Sequence, residues 1–189
     1  IEPTTIPEAL FDRMNDPAHA LVPYLHIPVQ SGSNRVLSLM KRKYTREEYL
    51  DFIGRAHATV RDLCLGTDVL VGTPGETEDD FEETCSLLAE SPLCYAHVFK
   101  YSERPNTAAL RISDKVDAAE KNRRSARVRR IGARKRLAFH ERYLGRTLDV
   151  LFEQPENRPA LQQQAAPGRQ LLTKKMQGPQ RDADVEHAK

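Results

Sequence analysis

A chain of 189 residues, with 39% apolar and 30% charged side chains, can hold one domain of ordinary size and a small second one. No run approaches the roughly 18 apolar residues of a membrane span, and the opening Ile1-Glu2-Pro3-Thr4-Thr5 lacks a signal peptide's basic and apolar regions, so a cytoplasmic protein without membrane contact is expected. The net charge of +2 hides a segregation: 13 Lys and Arg stand against 4 Asp and Glu between Arg111 and Arg146, and 16 against 23 elsewhere. Charge distributed in this way suggests a nucleic-acid-facing element beside a neutral-to-acidic body.

In chain order, Thr5-Ile6-Pro7-Glu8 has capping-box spacing, and Leu10, Phe11 and Met14 mark one helix face that Asn15-Asp16-Pro17 ends. Tyr24 to Val29 reads as a short apolar strand running into Gln30-Ser31-Gly32-Ser33, where Ser33 can cap the next helix, which carries Val36, Leu37 and Met40. Thr45 and Glu48 form a second capping box, before a helix in which Tyr49, Phe52, Ile53, Ala56 and Val60 share a face.

The next stretch, Gly66-Thr67-Asp68-Val69-Leu70-Val71-Gly72-Thr73-Pro74-Gly75-Glu76-Thr77, organises the rest. Asp68 to Val71 reads as a buried strand, Gly72 and Gly75 let backbone approach a ligand, and Thr77 with Asp80 caps an acidic helix. That helix buries Phe81, Cys85 and Leu88 and gives way to a third strand, Cys94 to Tyr101, followed by Ser102-Glu103-Arg104. Strands and helices that alternate in this way imply a parallel sheet with right-handed crossovers. Three strands do not close a barrel, and the unfilled concave face, with an opening at Ile1 rather than Met, suggests that an amino-terminal half belongs with this one.

One long basic helix is expected from Ser113 to Leu144, with a thin packing stripe of Val116, Ala119, Ala126, Ile131, Ala133 and Ala138, and with Gly145 at its end. Arg123, Arg127, Arg130 and Arg134 fall on one face and are the candidate RNA contacts. Thr147 to Glu153 alternates as a strand would, and the Gln- and Pro-rich residues that follow read as a disordered tail.

In a parallel sheet the three strand ends meet at one rim, which presents Gln30, Ser33, the Gly72 to Glu76 turn and Arg104. An amide, exposed backbone, a carboxylate and a guanidinium suit a nucleoside-like ligand with a charged tail. Glu76 reads equally as a ligand contact or as a carboxylate favoured by the helix dipole. His26 reads as a strand-end hydrogen-bonding group, and Cys64, Cys85 and Cys94 as free thiols without ligand spacing, so no metal site is expected. No Ser-His-Asp arrangement or carboxylate pair is discernible, and no catalytic residue is assigned.

Three blocks carry a family resemblance: Leu25 to Ser33 followed by Met40 to Thr45, the stretch from Gly66 to Thr77, and His97 to Pro105. Together they resemble the methylthiotransferases of the radical S-adenosylmethionine superfamily. The resemblance implies an α/β fold that is the second half of a partial (βα)6 barrel: residues 1–143 would form this half-barrel with its basic helix, 144–154 the start of an RNA-binding β-barrel, and 155–189 the tail. It implies S-adenosylmethionine along the strand ends, with Gln30, Ser33, Gly72, Glu76 and Arg104 as the cofactor rim.

The family's reaction replaces a C–H bond with a carbon–sulfur bond to a methylthio group. A 5′-deoxyadenosyl radical, made at a [4Fe-4S] cluster, abstracts the hydrogen, and a second [4Fe-4S] cluster is involved in supplying sulfur. The CxxxCxxC motif for the first cluster is absent, so this chain alone is expected to be inactive. Gly66-Thr67-Asp68 with His97-Val98-Phe99 looks most like the branch acting on threonylcarbamoyladenosine near the tRNA anticodon; the isopentenyladenosine and ribosomal-protein branches are the alternatives. Thr73 stands where the family usually has an aromatic residue, and Asn106 where it usually has Gly. A non-catalytic RNA-binding module built on the basic helix is the reading from a different class.

Overall fold

The central strand forms because its odd and even residues face different surroundings. In the computed structural model, which describes residues 3–148, it spans Cys64–Val71 (β2), reaching back further than the apolar run alone indicates. Leu65, Thr67, Val69 and Val71 are buried under the helices, whereas Asp68 and Leu70 on the opposite face are only half-buried. The flanking strands are Tyr24–His26 (β1) and Tyr95–Lys100 (β3). All pair in parallel in the order β1-β2-β3, with Leu25 opposite Leu65, Gly66 opposite Tyr95 and Val69 opposite Val98. β1 is shorter than the apolar run; beyond it only Gln30 rejoins the sheet, as an isolated bridge to Val69.

The helices are Ala9–Asn15 (α1), Asn34–Leu39 (α2), Arg46–Thr59 (α3), Glu78–Glu90 (α4) and Ala118–Glu141 (α5), with short 3-10 turns at Pro3–Thr5 and Ala108–Arg111. Tyr49, Phe52, Ile53 and Ala56 of α3 and Phe81, Leu87 and Leu88 of α4 share one core with Leu65, Val69 and Val71. Tyr49 is fully buried and keeps its hydroxyl satisfied by donating to Ile27 O at 2.8 Å. No helix among the described residues is long and apolar enough to cross a membrane.

Both internal capping boxes form: Thr45 with Glu48, and Thr77 with Asp80. The first expected box does not. Glu8 is the N-cap of α1 without a side-chain cap bond, and its carboxylate accepts from Arg55 Nε at 3.0 Å. Ser33 is the N-cap of α2 by position, but its hydroxyl donates to Asp80 Oδ1 at 2.7 Å instead of capping the helix.

α5 is shorter than expected. Asp117 caps it by accepting from Glu120 N at 2.8 Å, and upstream the carbonyl of Asp114 accepts from Gly75 N at 2.6 Å, so the chain before Asp117 is drawn across the rim turn. Its packing face also differs. Arg124, Ser125, Val128, Ile131 and Gly132 are buried, while Ala119, Ala126, Ala133 and Ala138 are exposed. The small apolar residues point outward because α5 lies close against β3, where Gly132 sits beside the Ala96 backbone. Gly145, at φ +78°, closes a turn beyond Glu141 rather than the helix itself. Of the strand expected over 147–153, residues 147 and 148 carry no strand and the rest lies outside the described residues, as does the tail from 155 to 189.

Candidate functional site

The carboxyl ends of the strands converge on a hollow of about 440 Å³ lined by Gln30, Asp68, Phe99, Tyr101 and Arg104 among others. Gln30 stands at φ +70°, a conformation that L side chains adopt only when their surroundings require it. Its backbone is held from both sides: Gln30 N donates to Asp68 O and Leu70 N donates to Gln30 O, each at 2.9 Å. The strained residue is therefore fixed by the sheet. Among the described residues the Gln30 amide and the Arg104 guanidinium have no side-chain partner, and the buried Tyr101 hydroxyl has none either. The Gln30 and Arg104 groups line one cavity uncommitted, which is what a site for a polar ligand needs, whereas the Tyr101 hydroxyl beside them is closed off from solvent.

Below the hollow, on the sheet face without helices, lies a polar network. His26 Nε2 meets Asp68 Oδ1 at 3.0 Å, His26 Nδ1 meets Tyr95 Oη at 3.1 Å, and the Tyr95 hydroxyl bonds that of Tyr24. His97 packs against Tyr95 and His26, with ring centroids 5.2 and 5.6 Å away. Gly66 permits this arrangement, because a Cβ there would fall 2.1 Å from the Tyr95 ring. Asp68 is thus held with one oxygen on His26 while it lines the hollow.

Ser33, Gly72 and Glu76 are placed differently from Gln30 and Arg104. Ser33 is buried on Asp80, whose carboxylate also accepts from Thr77 N at 2.8 Å and from Arg35 Nε at 3.2 Å. Burial would raise the Asp80 carboxyl, but the bonds from Arg35, Ser33 and Thr77 outweigh it and hold the group well below the usual carboxylate range. Gly72 stands at φ +72° with the stem of Lys121 where a Cβ would project, so the close approach that it allows is to α5. Glu76 turns inward, accepting from Gly72 N at 2.6 Å and from Arg124 Nη1 at 2.8 Å. Burial pushes its carboxyl up even though Arg124 and the Gly72 amide favour the charged form. Ser33 and Glu76 shape the rim from behind, and Gln30 and Arg104 face the cavity.

The arginines of α5 also divide. Arg123 pairs with Glu78 and Glu120 at 2.6 Å, and Arg127 pairs with Glu82, so α4 neutralises both. Arg130 and Arg134 have no carboxylate partner among the described residues and line a groove between α4 and α5. Arg124, which the spacing argument did not select, is the buried cation that binds Glu76, Glu78 and Glu120.

Asp68, Tyr95, His97 and Phe99 join the site although the spacing of the strand ends does not select them. The available signal was a single Asp inside an apolar strand, with His97 opposite it across the sheet. Asn106 stands at φ +64°, a left-handed conformation that Gly adopts most freely and Asn more readily than most residues. Thr73 is buried with its hydroxyl unpartnered among the described residues.

For a metal cluster the described residues do not fit. No group of three or more His, Cys, Asp or Glu among them could hold a metal ion. Cys64 and Cys94 lie at the amino ends of β2 and β3, away from the hollow, and Cys85 is buried in α4.

Compared with known proteins, residues 1–88 match the model of the Radical SAM superfamily. Among solved structures the chain is similar to coproporphyrinogen III oxidase from Escherichia coli, described as a radical SAM enzyme, with a TM-score of 0.52 and 20% identity. That match covers 75% of this chain and 31% of the other, so the chain spans about a third of the enzyme that it resembles. At this identity the likeness shows the fold: an α/β half-barrel with parallel strands.

Proposed function

From a segment that matches the Radical SAM superfamily, we propose that this chain is the carboxyl-terminal half of the barrel of a tRNA methylthiotransferase. What supports the reading is that each family-like block contributes to one hollow: Gln30 from Leu25 to Ser33, Asp68 and Leu70 from Gly66 to Thr77, and Phe99 and Arg104 from His97 to Pro105. The observation that carries it is that Gln30 and Arg104 line one hollow with polar groups that no other described side chain uses.

These residues fit S-adenosylmethionine. Arg104 can take a carboxylate, Asp68 can accept from an ammonium or hydroxyl, and Gln30 can pair with a base edge. Bound with its cluster, the cofactor supplies the radical that abstracts hydrogen; the residues of this chain orient the ligand and exclude water on one side. Cluster ligands would come from a separate half that covers the open sheet face. The nucleoside proposed is threonylcarbamoyladenosine near the anticodon, reached by RNA docking along α5.

Two measurements test this. Calorimetric titration with S-adenosylmethionine should show binding that Gln30→Ala and Arg104→Ala each weaken about tenfold, in keeping with a lost charge-assisted bond; unchanged affinity in both variants removes the cofactor assignment. Mass analysis of tRNA nucleosides after disruption of the gene should show loss of the methylthio group from threonylcarbamoyladenosine. Loss from isopentenyladenosine, or from a ribosomal protein, would point to a sister branch instead. An RNA-binding module without cofactor is favoured only if tRNA binds and S-adenosylmethionine does not.

A further inference from the structure

The arginines with the strongest sequence signal are not the ones best placed to meet a substrate strand. Arg123 and Arg127 are spent on Glu78, Glu120 and Glu82, and the groove beside Arg130 and Arg134 also contains Glu82. On the other flank of α5 a second hollow, of about 420 Å³, runs along the outer edge of β3 between His97 and Phe99 on one side and Arg129 and Arg136 on the other. Among the described residues neither Arg129 nor Arg136 has a carboxylate partner. Phe99 is 54% exposed and lines this hollow as well as the candidate site, so the two adjoin across its ring.

We infer that this edge is a track for single-stranded RNA, on which the nucleotides flanking the target stack against Phe99 and His97 while Arg129 and Arg136 take their phosphates and the target base turns into the rim hollow. The inference rests on the RNA reading proposed above and specifies how the strand is held. Alternating aromatic faces and uncompensated arginines are the chemistry that binds single strands without sequence preference. A base must leave its stack to reach a closed site, and an unpaired loop does so most cheaply. A protein strand is a poor occupant, because Arg129 Nη2 already takes the Val98 carbonyl at 2.9 Å and Gly132 of α5 lies against Ala96. The edge is therefore closed to β-pairing but open to rings and phosphates.

The test is fluorescence anisotropy of the full chain with a labelled RNA stem-loop carrying a seven-base loop and with a blunt duplex of equal length. The stem-loop should bind more tightly. Phe99→Ala and Arg136→Ala should each weaken it about tenfold, Phe99→Tyr should restore it, and Arg123→Ala should leave it unchanged. Arg136→Ala should also lower the salt slope by about one. Ultraviolet crosslinks should map to residues 95–101. Both truncated side chains are exposed, so folding is not at stake; circular dichroism checks this.

If Phe99→Ala and Arg136→Ala bind as wild type while Arg130→Ala or Arg134→Ala loses binding, the track is wrong and the RNA reading stands. Equal affinity for the duplex overturns the single-strand assignment, as does a dimer that these substitutions dissociate. No binding to either RNA ends both, leaving the cofactor reading to the S-adenosylmethionine titration alone.

Discussion

The two faces of β2 have opposite fates. Toward α3 and α4, Leu65, Val69 and Val71 are wholly buried with Tyr49 and Phe81; toward the open side, Asp68 lies in a network of His26, Tyr95 and Tyr24 that is half in water. The same backbone serves both, because successive residues point to opposite faces. The covered face obtains its stability from apolar area and tolerates little change. The uncovered face carries polar and aromatic groups that a self-sufficient sheet would not need, and those are the groups that reach the candidate site.

This contrast can be broken most decisively by substitution on each face. Phe81→Ala should cost about 3–5 kcal/mol in urea denaturation, as expected for a buried aromatic, whereas Phe99→Ala should cost less than about 1 kcal/mol. A large loss at Phe99 would mean that the open face is part of the core.

A smaller effect concerns the turn between the faces. The Asp80 carboxyl is held below its unfolded value, so its contribution is complete above about pH 4 and is lost as pH falls through that range toward the folded value. Acid titration followed by circular dichroism should show about 1–2 kcal/mol lost in this window, and Asp80→Asn should flatten the profile. An unaltered profile in the variant would show that the Arg35, Ser33 and Thr77 bonds do not set the stability of the turn.

The smallest effect is the most diagnostic. Gln30 holds a left-handed conformation that glycine adopts freely, so Gln30→Gly should raise thermal stability by up to about 1 kcal/mol while S-adenosylmethionine binding falls. Strain retained at a position where it costs stability suggests that the amide matters. If Gln30→Gly instead left binding intact, the side chain would have no role in the hollow.

Local signals were legible wherever the answer lay within a few residues. The Thr45 and Thr77 capping boxes, the glycine turn after β2 and the alternation of strands and helices all follow from short spacings. The start of α1 departs from its capping-box spacing because Glu8 is drawn to Arg55, and the buried face of α5 departs from its apolar stripe because β3, and not its own small apolar residues, sets the packing.

Of the candidate site, Gln30 and Arg104 could be anticipated, since each follows a strand. Asp68, Tyr95 and His97 could not be assembled without knowing the register, which places His26 beside Gly66 and Asp68 beside His97. Charge alone marked α5 as an RNA surface. It could not say which arginines α4 neutralises, because Glu78 and Glu82 are 45 residues away in sequence from Arg123 and Arg127.

By itself the sequence determined the elements, their parallel order and the rim turns, because these depend on periodicity, caps and glycines acting over a few bonds. The tertiary structure alone decided which polar side chains are spent on holding the rim and which remain for a ligand. That division depends on distances between residues far apart in the chain, where burial of one carboxylate commits one arginine and leaves the next exposed.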